Sequence, residues 1–420
     1  MENVFIERNI LCIDLKSFFA SCECVERGLD PFTVPLVVAN PNQGNGAITL
    51  AVTPALKKQG VKGRTRLYDI PPYIKYRIVP PRMSLYTKKS REVVNIYLDF
   101  VATEDLHIYS IDECFLDVTD YLKMYKKTDY ELAELILDTV YQKTGLTATC
   151  GIGPNLLLAK VAMDIEAKLY KNGIAKWSYD DVPTKLWLIK PLSKMWGIGP
   201  RMEKNLNLLN IYSIGDLARY DRNKLKDKFG VMGAELWNHA NGIDLSRIND
   251  LKVQPKESSY SHSQVLFKDY NEENIKLIIM EMVEVITARL RKNNKQTTVL
   301  GFGIGYSKDV SGGFYHSIKL DVPTDVASEI VSQCYIIFDR YYTFQPIRKV
   351  SISCGGLVSK KGVQLNLFES IKQVEDERNL NETIDEIKDK FGKNSVVKAS
   401  SLLPDSTALE RNKKIGGHNA

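Results

Sequence analysis

Two adjacent carboxylates stand between two apolar stretches in IYSIDECFLDV, residues 108–118. Neighbouring residues of a strand point to opposite faces of its sheet, so only one of Asp112 and Glu113 could face a core. A tight turn or a strand edge would let both side chains reach the same space. One interpretation is a solvated turn, where acidic residues are common. The other is half of a site for Mg²⁺, which takes oxygen ligands from one or two carboxylates and from substrate phosphates.

A third carboxylate belongs to NILCIDLKSFFASCECVERG, which predicts a strand, ILCIDL, followed by a helix from about Ser17. Asp14 would therefore stand at the C-terminal end of the strand beside a helix N-terminus, where ligands collect in α/β folds. If the strands that carry Asp14 and Asp112-Glu113 are neighbours, the three carboxylates form a cup for two Mg²⁺ ions. That arrangement serves in-line displacement at phosphorus.

A strongly basic segment lies between these carboxylates in the sequence. Residues 57–91 contain eleven lysines and arginines and one acidic residue, Asp69, and the resulting charge of +10 exceeds the +6 of the whole chain. The rest of the chain is therefore net acidic. Such a cluster predicts binding of a phosphate-rich ligand, either nucleotide or nucleic acid.

The composition is typical of a globular protein with more than one domain, with 420 residues, 44% of them hydrophobic and 26% charged. No apolar run approaches the roughly 20 residues that span a bilayer. The N-terminus carries charges of both signs and shows no signal peptide. Seven cysteines without a CxxC pair argue against a disulfide framework or a zinc ribbon. We therefore expect a cytoplasmic protein in a reducing environment.

The pattern of elements changes along the chain. Strands alternate with helices up to about residue 178, which predicts a mixed α/β domain with the basic segment inserted. Short helices follow over 179–245, where MWGIGPRMEKNLNLLN suggests a helix-hairpin-helix. In that motif backbone amides at a helix start hold DNA phosphates without reading bases. An ordinary helix–turn–helix without DNA contacts also needs a glycine turn, so this alternative and the helix-hairpin-helix both stay open.

The last part of the chain predicts a second kind of domain. A polar, linker-like stretch, 246–256, leads into residues 257–358, whose βαββαβ order predicts a compact α+β domain with helices on one face of a sheet. Beyond residue 370 the chain is charged and partly helical, and we expect its end to be disordered.

Together these motifs resemble those of the Y-family DNA polymerases, in particular the bacterial and phage UmuC-like branch. IDLKSFFASCE is similar to the first motif of that family, and IYSIDECFLDV to its S-I-D-E motif. GVKGRTRLYDI resembles its fingers segment, CGIGPNLLLAKVAMDIEAK its third palm motif and GIGP its thumb hairpin. The similarity runs from about residue 9 to about residue 358.

The resemblance implies a fold of α/β and α+β domains in a right-hand polymerase with an additional βαββαβ domain. The implied domains are the palm (1–25 and 84–178), small fingers (26–83), a helix-hairpin-helix thumb (179–245), a linker (246–256), the little finger (257–358) and a C-terminal tail (359–420).

The resemblance also implies a function: template-directed DNA synthesis of low fidelity in translesion synthesis, with two Mg²⁺ ions as cofactor. Phe18 would pack beside the incoming nucleotide, and Phe19 would be the steric gate that excludes a ribose 2′-OH. The resemblance assigns catalysis to Asp14, Asp112 and Glu113, and metal binding to the same three carboxylates and the Leu15 carbonyl. The implied nucleotide-binding residues are Phe18, Phe19, Lys57 and Lys168. The implied DNA-binding residues are Gly197, Gly199 and Arg201.

Some positions depart from the family pattern. Pro54 and Lys57 stand where many members carry a tyrosine and an arginine on the fingers helix, and the UmuC-like branch shows a similar loss of the tyrosine. Lys57 can contact a phosphate as a point charge but lacks the bidentate fork of arginine. The spacing from Lys160 to Lys168 is one residue longer than in many members.

A short motif, GVQLNLFES, follows the last predicted strand. Its Gln364, Leu365, Leu367 and Phe368 resemble the pentapeptide by which bacterial polymerases bind the sliding clamp. An amphipathic core strand is the alternative, but the position after the last domain favours a tethered anchor. The expected partners are primer–template DNA, deoxynucleoside triphosphates and the clamp, with accessory proteins of the SOS response as candidates. We expect an association with the nucleoid and none with a membrane.

Two other functions remain open. A DNA-binding scaffold without catalysis is disfavoured because all three carboxylates are present. Another two-metal phosphoryl transferase, such as a nuclease or a nucleotide cyclase, would not need Phe19, a DNA-holding hairpin and a separate grip domain together. Two core aromatics behind a strand are the structural alternative for Phe18 and Phe19.

Overall fold

The computed structural model describes residues 5, 7–252, 258–360 and 371–419, with 252, 371–375 and 419 described by their backbone alone. The chain divides into two compact units, Met1–Val253 with His418–Ala420, and Gln254–Gly417. Each unit has its own hydrophobic cores. Among the described helices, none combines the length and the apolar character needed to cross a bilayer.

The first unit is a mixed α/β structure. Its strands are β1 (Ile10–Leu15), β2 (Leu36–Val38), β3 (Ala51–Val52), β4 (Arg77–Val79), β5 (Leu106–Ile108), β6 (Glu113–Asp117), β7 (Ala148–Gly153) and β8 (Ile174–Lys176). Its helices are α1 (Phe18–Glu26), α2 (Pro54–Lys58), α3 (Met83–Leu98), α4 (Leu122–Tyr125), α5 (Asp129–Thr144), α6 (Leu156–Ile165), α7 (Asp181–Thr184), α8 (Pro200–Asn207), α9 (Ile214–Arg219), α10 (Arg222–Phe229) and α11 (Val231–Ala240).

The main sheet of this unit has the strand order β5-β6-β1-β7-β8. β1 lies between β6 and β7 and is antiparallel to both. Alternate residues of β1 enter two different cores, Leu11 and Ile13 on one side and Ile10 and Cys12 on the other. Burial on both faces explains why ILCIDL is apolar without alternation until Asp14.

Two smaller assemblies complete the first unit. Strands β3-β2-β4 form a separate sheet between α1 and α3 in the sequence, with Val37, Val52 and Leu56 in its core. Helices α7–α11 share a core with α6, which includes Leu206 and Leu236. The alternation of strands and helices and the change to short helices after about 178 agree with the sequence prediction.

The second unit begins with the βαββαβ order that the sequence predicts. Its elements are β9 (Tyr260–Tyr270), α12 (Glu272–Lys292), β10 (Lys295–Tyr306), β11 (Gly313–Thr324), α13 (Ala327–Tyr341), β12 (Ile347–Gly355), β13 (Val358–Ser359), α14 (Ile371–Phe391), α15 (Ala408–Asn412) and β14 (Lys414–Ile415). The short strand β15 (His418–Asn419) belongs to the stretch that is grouped with the first unit. The antiparallel sheet has the order β11-β10-β12-β9. Phe302 and Ile352 of the sheet share a core with Met282 of α12 and Phe338 of α13.

The expectation of a disordered chain end is wrong for the residues described after 370. Glu281 of α12 is 3% exposed and accepts hydrogen bonds from Ser406 Oγ at 2.5 Å and from the Thr407 backbone amide at 3.2 Å. Arg378 of α14 binds the buried Asp325 at 3.0 Å. The polar composition of this segment suggested disorder. Its polar groups, however, form hydrogen bonds and ion pairs with buried carboxylates, and the composition does not reveal such partners.

Candidate active site

The strand register brings the predicted carboxylates together. β1 and β6 pair so that Asp14 lies directly opposite Glu113, and cross-strand partners of this kind have Cβ atoms about 5 Å apart. The Leu15 amide donates to the Asp112 carbonyl at 2.9 Å, which ties the end of β1 to the residue before β6. The strands β1 and β6 are therefore neighbours in the sheet, as the sequence analysis expected.

A local irregularity of the backbone allows Asp112 and Glu113 both to lie at this edge of the sheet. The amides of Tyr109 and Ser110 both donate to the Glu113 carbonyl, each at 3.0 Å. Two residues opposite one are typical of a β-bulge, which re-aims the neighbouring side chain. Ser110 Oγ then donates to Asp112 Oδ1 at 2.7 Å and holds that carboxylate in place. The segment is therefore a turn, as the first interpretation expected, and this turn also places Asp112 at the same edge of the sheet as Glu113.

Glu113 is buried and paired with a cation of the protein. It is 7% exposed, and its carboxylate lies 2.8 Å from Lys160 Nζ. The Cys12 thiol donates to its Oε1 at 3.3 Å. Burial lowers the pKa of Lys160, but the hydrogen bond to Glu113 and nearby negative charge outweigh that effect and raise it. The ion pair therefore fixes the orientation of Glu113.

Two glycines allow the helix that carries Lys160 to reach the sheet. A Cβ atom at Gly151 would overlap the carbonyl oxygen of Ala159, and one at Gly153 would overlap the Ala159 amide. Such a close approach of helix and strand needs glycine. The side chain of Asn155 caps α6 by accepting from the Leu158 amide at 2.8 Å. Together these features place Lys160 beside the carboxylates.

Asp14 has a different electrostatic environment. Its side chain is 23% exposed, and its Oδ2 lies 3.6 Å from Lys168 Nζ. Burial raises the pKa of Asp14 to about 6; the attraction of Lys168 opposes this rise, and repulsion from Asp112 and Glu113 adds to it. An incompletely balanced negative charge is therefore concentrated at the end of β1.

The two predicted triphosphate lysines lie at this site. Lys168 also pairs with Asp164 at 2.7 Å; burial lowers its pKa, but attraction to Asp14 and Asp164 raises it overall. Lys57 of α2 is solvent-exposed. Partial desolvation lowers the pKa of Lys57, while Asp14 and Asp112 are close enough to oppose that effect.

Phe18 and Phe19 begin α1, directly after the strand that carries Asp14. Phe18 is 3% exposed and belongs to the main core, whereas Phe19 is only partly buried. The interpretation as a core aromatic therefore describes Phe18, whereas the Phe19 ring keeps accessible surface.

The predicted hairpin lies in the helical part of the first unit. Gly197 has a φ of 87°, a conformation that favours glycine, and Gly199 is the N-cap of α8. Arg201 is exposed in the first turn of α8. The Trp196 indole donates to the Tyr109 hydroxyl at 3.1 Å, so this hairpin contacts the segment that carries Asp112.

Comparison with known proteins identifies the family. The model of the impB/mucB/samB family matches residues 13–164, that of its C-terminal domain 257–367, and that of the IMS family HHH motif 179–211. A Bacillus subtilis (strain 168) protein named as a UV-damage repair protein, UvrX, is 42% identical over 419 residues, with 99% of each chain covered. The chain belongs to this family, the Y family of DNA polymerases.

Two further relatives carry polymerase names. DNA polymerase IV 2 of Bacillus subtilis (strain 168) is 32% identical and covers 98% of this chain and 99% of its own length. DNA polymerase IV of Pelotomaculum thermopropionicum is 31% identical, with 96% of this chain and 97% of its own covered. The sequence-based prediction of a Y-family DNA polymerase of the translesion class is confirmed at the level of the family.

Several residues of this Y-family site were not predicted. Lys160 and Cys12 contact Glu113, and Asp164 pairs with both Lys160 and Lys168, yet sequence reasoning assigned these residues no role. A signal existed: Lys160 and Asp164 are opposite charges four residues apart on the otherwise apolar helix LLLAKVAMDI, so they share one face, and Lys168 follows after a further interval of four.

The predicted metal site and the predicted clamp-binding motif both stay predictions. Within the described residues, no group of three or more histidine, cysteine, aspartate or glutamate side chains is arranged to hold a metal ion. The clamp motif with Gln364, Leu365, Leu367 and Phe368 lies outside the described residues.

Proposed function

We propose that this Y-family protein is a low-fidelity, template-directed DNA polymerase that extends a primer 3′-OH in translesion synthesis by a two-metal mechanism. The observation that carries the proposal is the register that sets Asp14 opposite Glu113, with Asp112 tied to the end of the same strand. Phosphoryl transfer depends on positioning and charge neutralisation more than on covalent help. Carboxylates beside lysines and a helix N-terminus supply the groups that such a reaction needs.

Asp14, Asp112, Glu113 and the Leu15 carbonyl would hold two Mg²⁺ ions. Their donor atoms fit, because Mg²⁺ prefers oxygen and commonly takes one or two carboxylates with substrate phosphates. The pKa of Asp14, raised to about 6 by burial and also by its carboxylate neighbours, marks a concentration of negative charge that a divalent cation relieves. When bound, such ions polarise phosphoryl oxygens and favour deprotonation of the attacking hydroxyl.

The chain's own residues would bind the triphosphate. Lys57 approaches the carboxylate edge from α2, and Lys168 approaches it from the short 3-10 turn that follows α6. The N-cap of α1, Ser17, makes no cap hydrogen bond with its side chain in the described structure. The first amides of α1 can therefore donate to phosphate oxygens, as helix N-termini commonly do. Both lysines would neutralise charge on the transferred and leaving phosphates.

Phe19 would act as the sugar gate, and Phe18 would support it from the core. A ring against C2′ of the incoming sugar leaves no space for a 2′-OH. This exclusion is steric, because neither sugar leaves a buried polar group of the protein without a partner.

The remaining segments would hold DNA in the arrangement that the family implies. The palm would comprise 1–25 and 84–178, the fingers 26–83, the thumb 179–245, the linker 246–256 and the little finger 257–358. Gly197, Gly199 and Arg201 would contact the DNA backbone at the start of α8. Small fingers enclose the nascent base pair loosely, and this looseness would admit damaged templates.

The proposed partners beyond DNA and nucleotides follow from the sequence motif that comes after β13. Residues 364–368 would bind the sliding clamp and so raise the local concentration of the polymerase on DNA. SOS accessory proteins are further candidate partners, and the place of action would be the nucleoid.

A primer-extension assay tests the proposal. Purified protein, Mg²⁺, deoxynucleoside triphosphates and a primer–template with or without a template lesion should give products longer than the primer, including products that pass the lesion. Products shorter than the primer would instead indicate a nuclease. DNA binding without any extension would indicate a non-catalytic scaffold.

A further inference from the structure

The ring proposed as the sugar gate is stacked on a second ring. Phe19 in α1 and Tyr86 in α3 have ring centroids 4.5 Å apart and ring planes 19° from parallel. Tyr86 is fully buried, whereas Phe19 is partly exposed. Tyr86 therefore supports the Phe19 ring from the interior and leaves part of its surface for a ligand.

Tyr86 is itself held by a buried charge. Its hydroxyl donates to Glu23 Oε1 at 2.7 Å, and the Glu23 side chain is inaccessible to solvent. Arg82 binds the same carboxylate with two bonds of 3.0 and 2.7 Å, and Arg27 adds another. Burial alone would raise the pKa of Glu23, but hydrogen bonds from Arg82, Tyr86 and Arg27 lower it below its ordinary value. The anchor is thus an ionised carboxylate with several donors.

The spacing of these residues makes the support rigid. Phe19 and Glu23 are four residues apart in α1, and Arg82 and Tyr86 are four apart at the start of α3. Residues at this interval lie on one face of a helix. The ring stack and the ion pair are therefore adjacent parts of one contact between α1 and α3. Because the Glu23 side chain is buried, removing its partners would leave an uncompensated charge, so few other arrangements are available to Tyr86.

We propose that Tyr86, anchored by Glu23 and Arg82, is a positioning residue that sets discrimination against ribonucleoside triphosphates by fixing the Phe19 ring. The inference rests on the gate function proposed for Phe19. A gate excludes a 2′-OH only as firmly as its ring resists displacement. The stacked Tyr86 ring prevents Phe19 from tilting away from the sugar.

The test compares kcat/KM for a deoxynucleoside triphosphate and the matching ribonucleoside triphosphate on one primer–template. The variants are Phe19→Ala, Tyr86→Leu, Tyr86→Phe and the double variant Phe19→Ala/Tyr86→Leu. Both sugars are measured on the same preparation, so an unfolded or inactive fraction cancels from the preference. Tyr86→Leu should lower the preference for deoxynucleotides about tenfold, a factor that corresponds to the interaction of one aromatic pair. Tyr86→Phe keeps the stacked ring but loses its hydrogen bond to Glu23, so it should lower the preference measurably but less than Tyr86→Leu does.

A matched control lies on the same helix. Tyr97 is also buried and stands eleven residues along α3, which is about 16 Å from Tyr86. Tyr97→Leu removes an equally large ring and should leave sugar preference at the wild-type value. A comparable loss in Tyr97→Leu would attribute the effect to general loosening of the core and overturn the inference.

The remaining outcomes separate the inference from the proposed gate. Wild-type preference in Tyr86→Leu with relaxed preference in Phe19→Ala overturns the role of Tyr86 and leaves the gate intact. Wild-type preference in Phe19→Ala overturns the gate itself. The double variant should match Phe19→Ala, because Tyr86 acts through Phe19; a further, additive loss would contradict this. If Tyr86→Leu yields no active protein, Arg82→Lys weakens the anchor while keeping both rings, and an unchanged preference there overturns the inference.

Discussion

Lys160 Nζ lies 2.8 Å from the carboxylate of Glu113, and both side chains are 8% exposed. Lys160 also reaches Asp164 at 3.0 Å. The protein thus neutralises Glu113 itself, whereas Asp14, opposite Glu113 in the sheet, meets Lys168 at the longer distance of 3.6 Å. The site therefore combines a structurally paired carboxylate with one whose charge is less well balanced.

Lys160→Met should destabilise the first unit by about 3 kcal/mol, because removing one partner of a buried ion pair leaves the other charge uncompensated. Lys168→Met is the matched control: the Lys168 side chain is 43% exposed, and the expected loss is below about 1 kcal/mol. Urea unfolding followed by circular dichroism measures both variants. Equal losses would contradict the structural role of the Lys160–Glu113 pair.

Asp112→Asn and Glu113→Gln should each abolish nucleotide incorporation and leave DNA binding largely intact. Both substitutions are nearly isosteric but remove a charge proposed to bind metal, whereas affinity for DNA comes mainly from phosphate contacts elsewhere. Primer extension and fluorescence anisotropy with labelled DNA measure the two properties. Normal extension by either variant would refute its assignment as a metal ligand.

Asp14→Asn should make the metal-free protein more stable at pH 7.5. The folded pKa of about 6 lies above the ordinary value of about 4, so protonation of Asp14 favours the folded state. That contribution is fully present below about pH 4 and is lost as the pH rises through about 6. An uncharged asparagine avoids the loss, which is about 3 kcal/mol.

Urea unfolding in EDTA at pH 7.5 and pH 4 measures this difference, which should disappear at the lower pH. Asp138→Asn, at an exposed position of α5, is the control and should show little change at either pH. A pH-independent effect of Asp14→Asn would refute the electrostatic explanation.

Phe19→Ala should admit ribonucleoside triphosphates while incorporation of deoxynucleotides stays within a modest factor of wild type. Phe18→Ala should not relax sugar choice comparably, because Phe18 is buried in the core, although poorer packing should slow synthesis. Incorporation of each sugar by both variants on one primer–template provides the comparison. Relaxed sugar choice in Phe18→Ala alone would mean that the two roles have been exchanged.

Replacing Leu367 and Phe368 with alanine should remove stimulation by the sliding clamp without changing synthesis on short primers. The proposed anchor adds local concentration and takes no part in catalysis. Extension with and without clamp, together with a clamp pull-down, measures the effect. Retention of the double variant by clamp at wild-type strength would argue for the core-strand alternative.

Local sequence patterns were sufficient to predict the strand and helix around Asp14, the turn with Asp112 and Glu113, and the βαββαβ order of the second unit. These features depend on hydrophobic periodicity and on residues near in sequence, such as the glycine turn before α8. The motifs around the carboxylates also sufficed to identify the Y family. Each of these inferences needs a segment of roughly ten to twenty residues.

The tertiary structure decided which charges meet. Lys160 pairs with Glu113, and Arg82 of the basic segment pairs with the buried Glu23. Ser406 and Thr407, in the last part of the chain that the structure describes, supply partners to the buried Glu281. Such pairings join residues far apart in sequence, and their stability depends on desolvation and on the exact approach of packed elements. Hydrophobic periodicity does not predict how closely two packed elements approach each other. The partners of these charged residues could therefore be identified only from the folded structure.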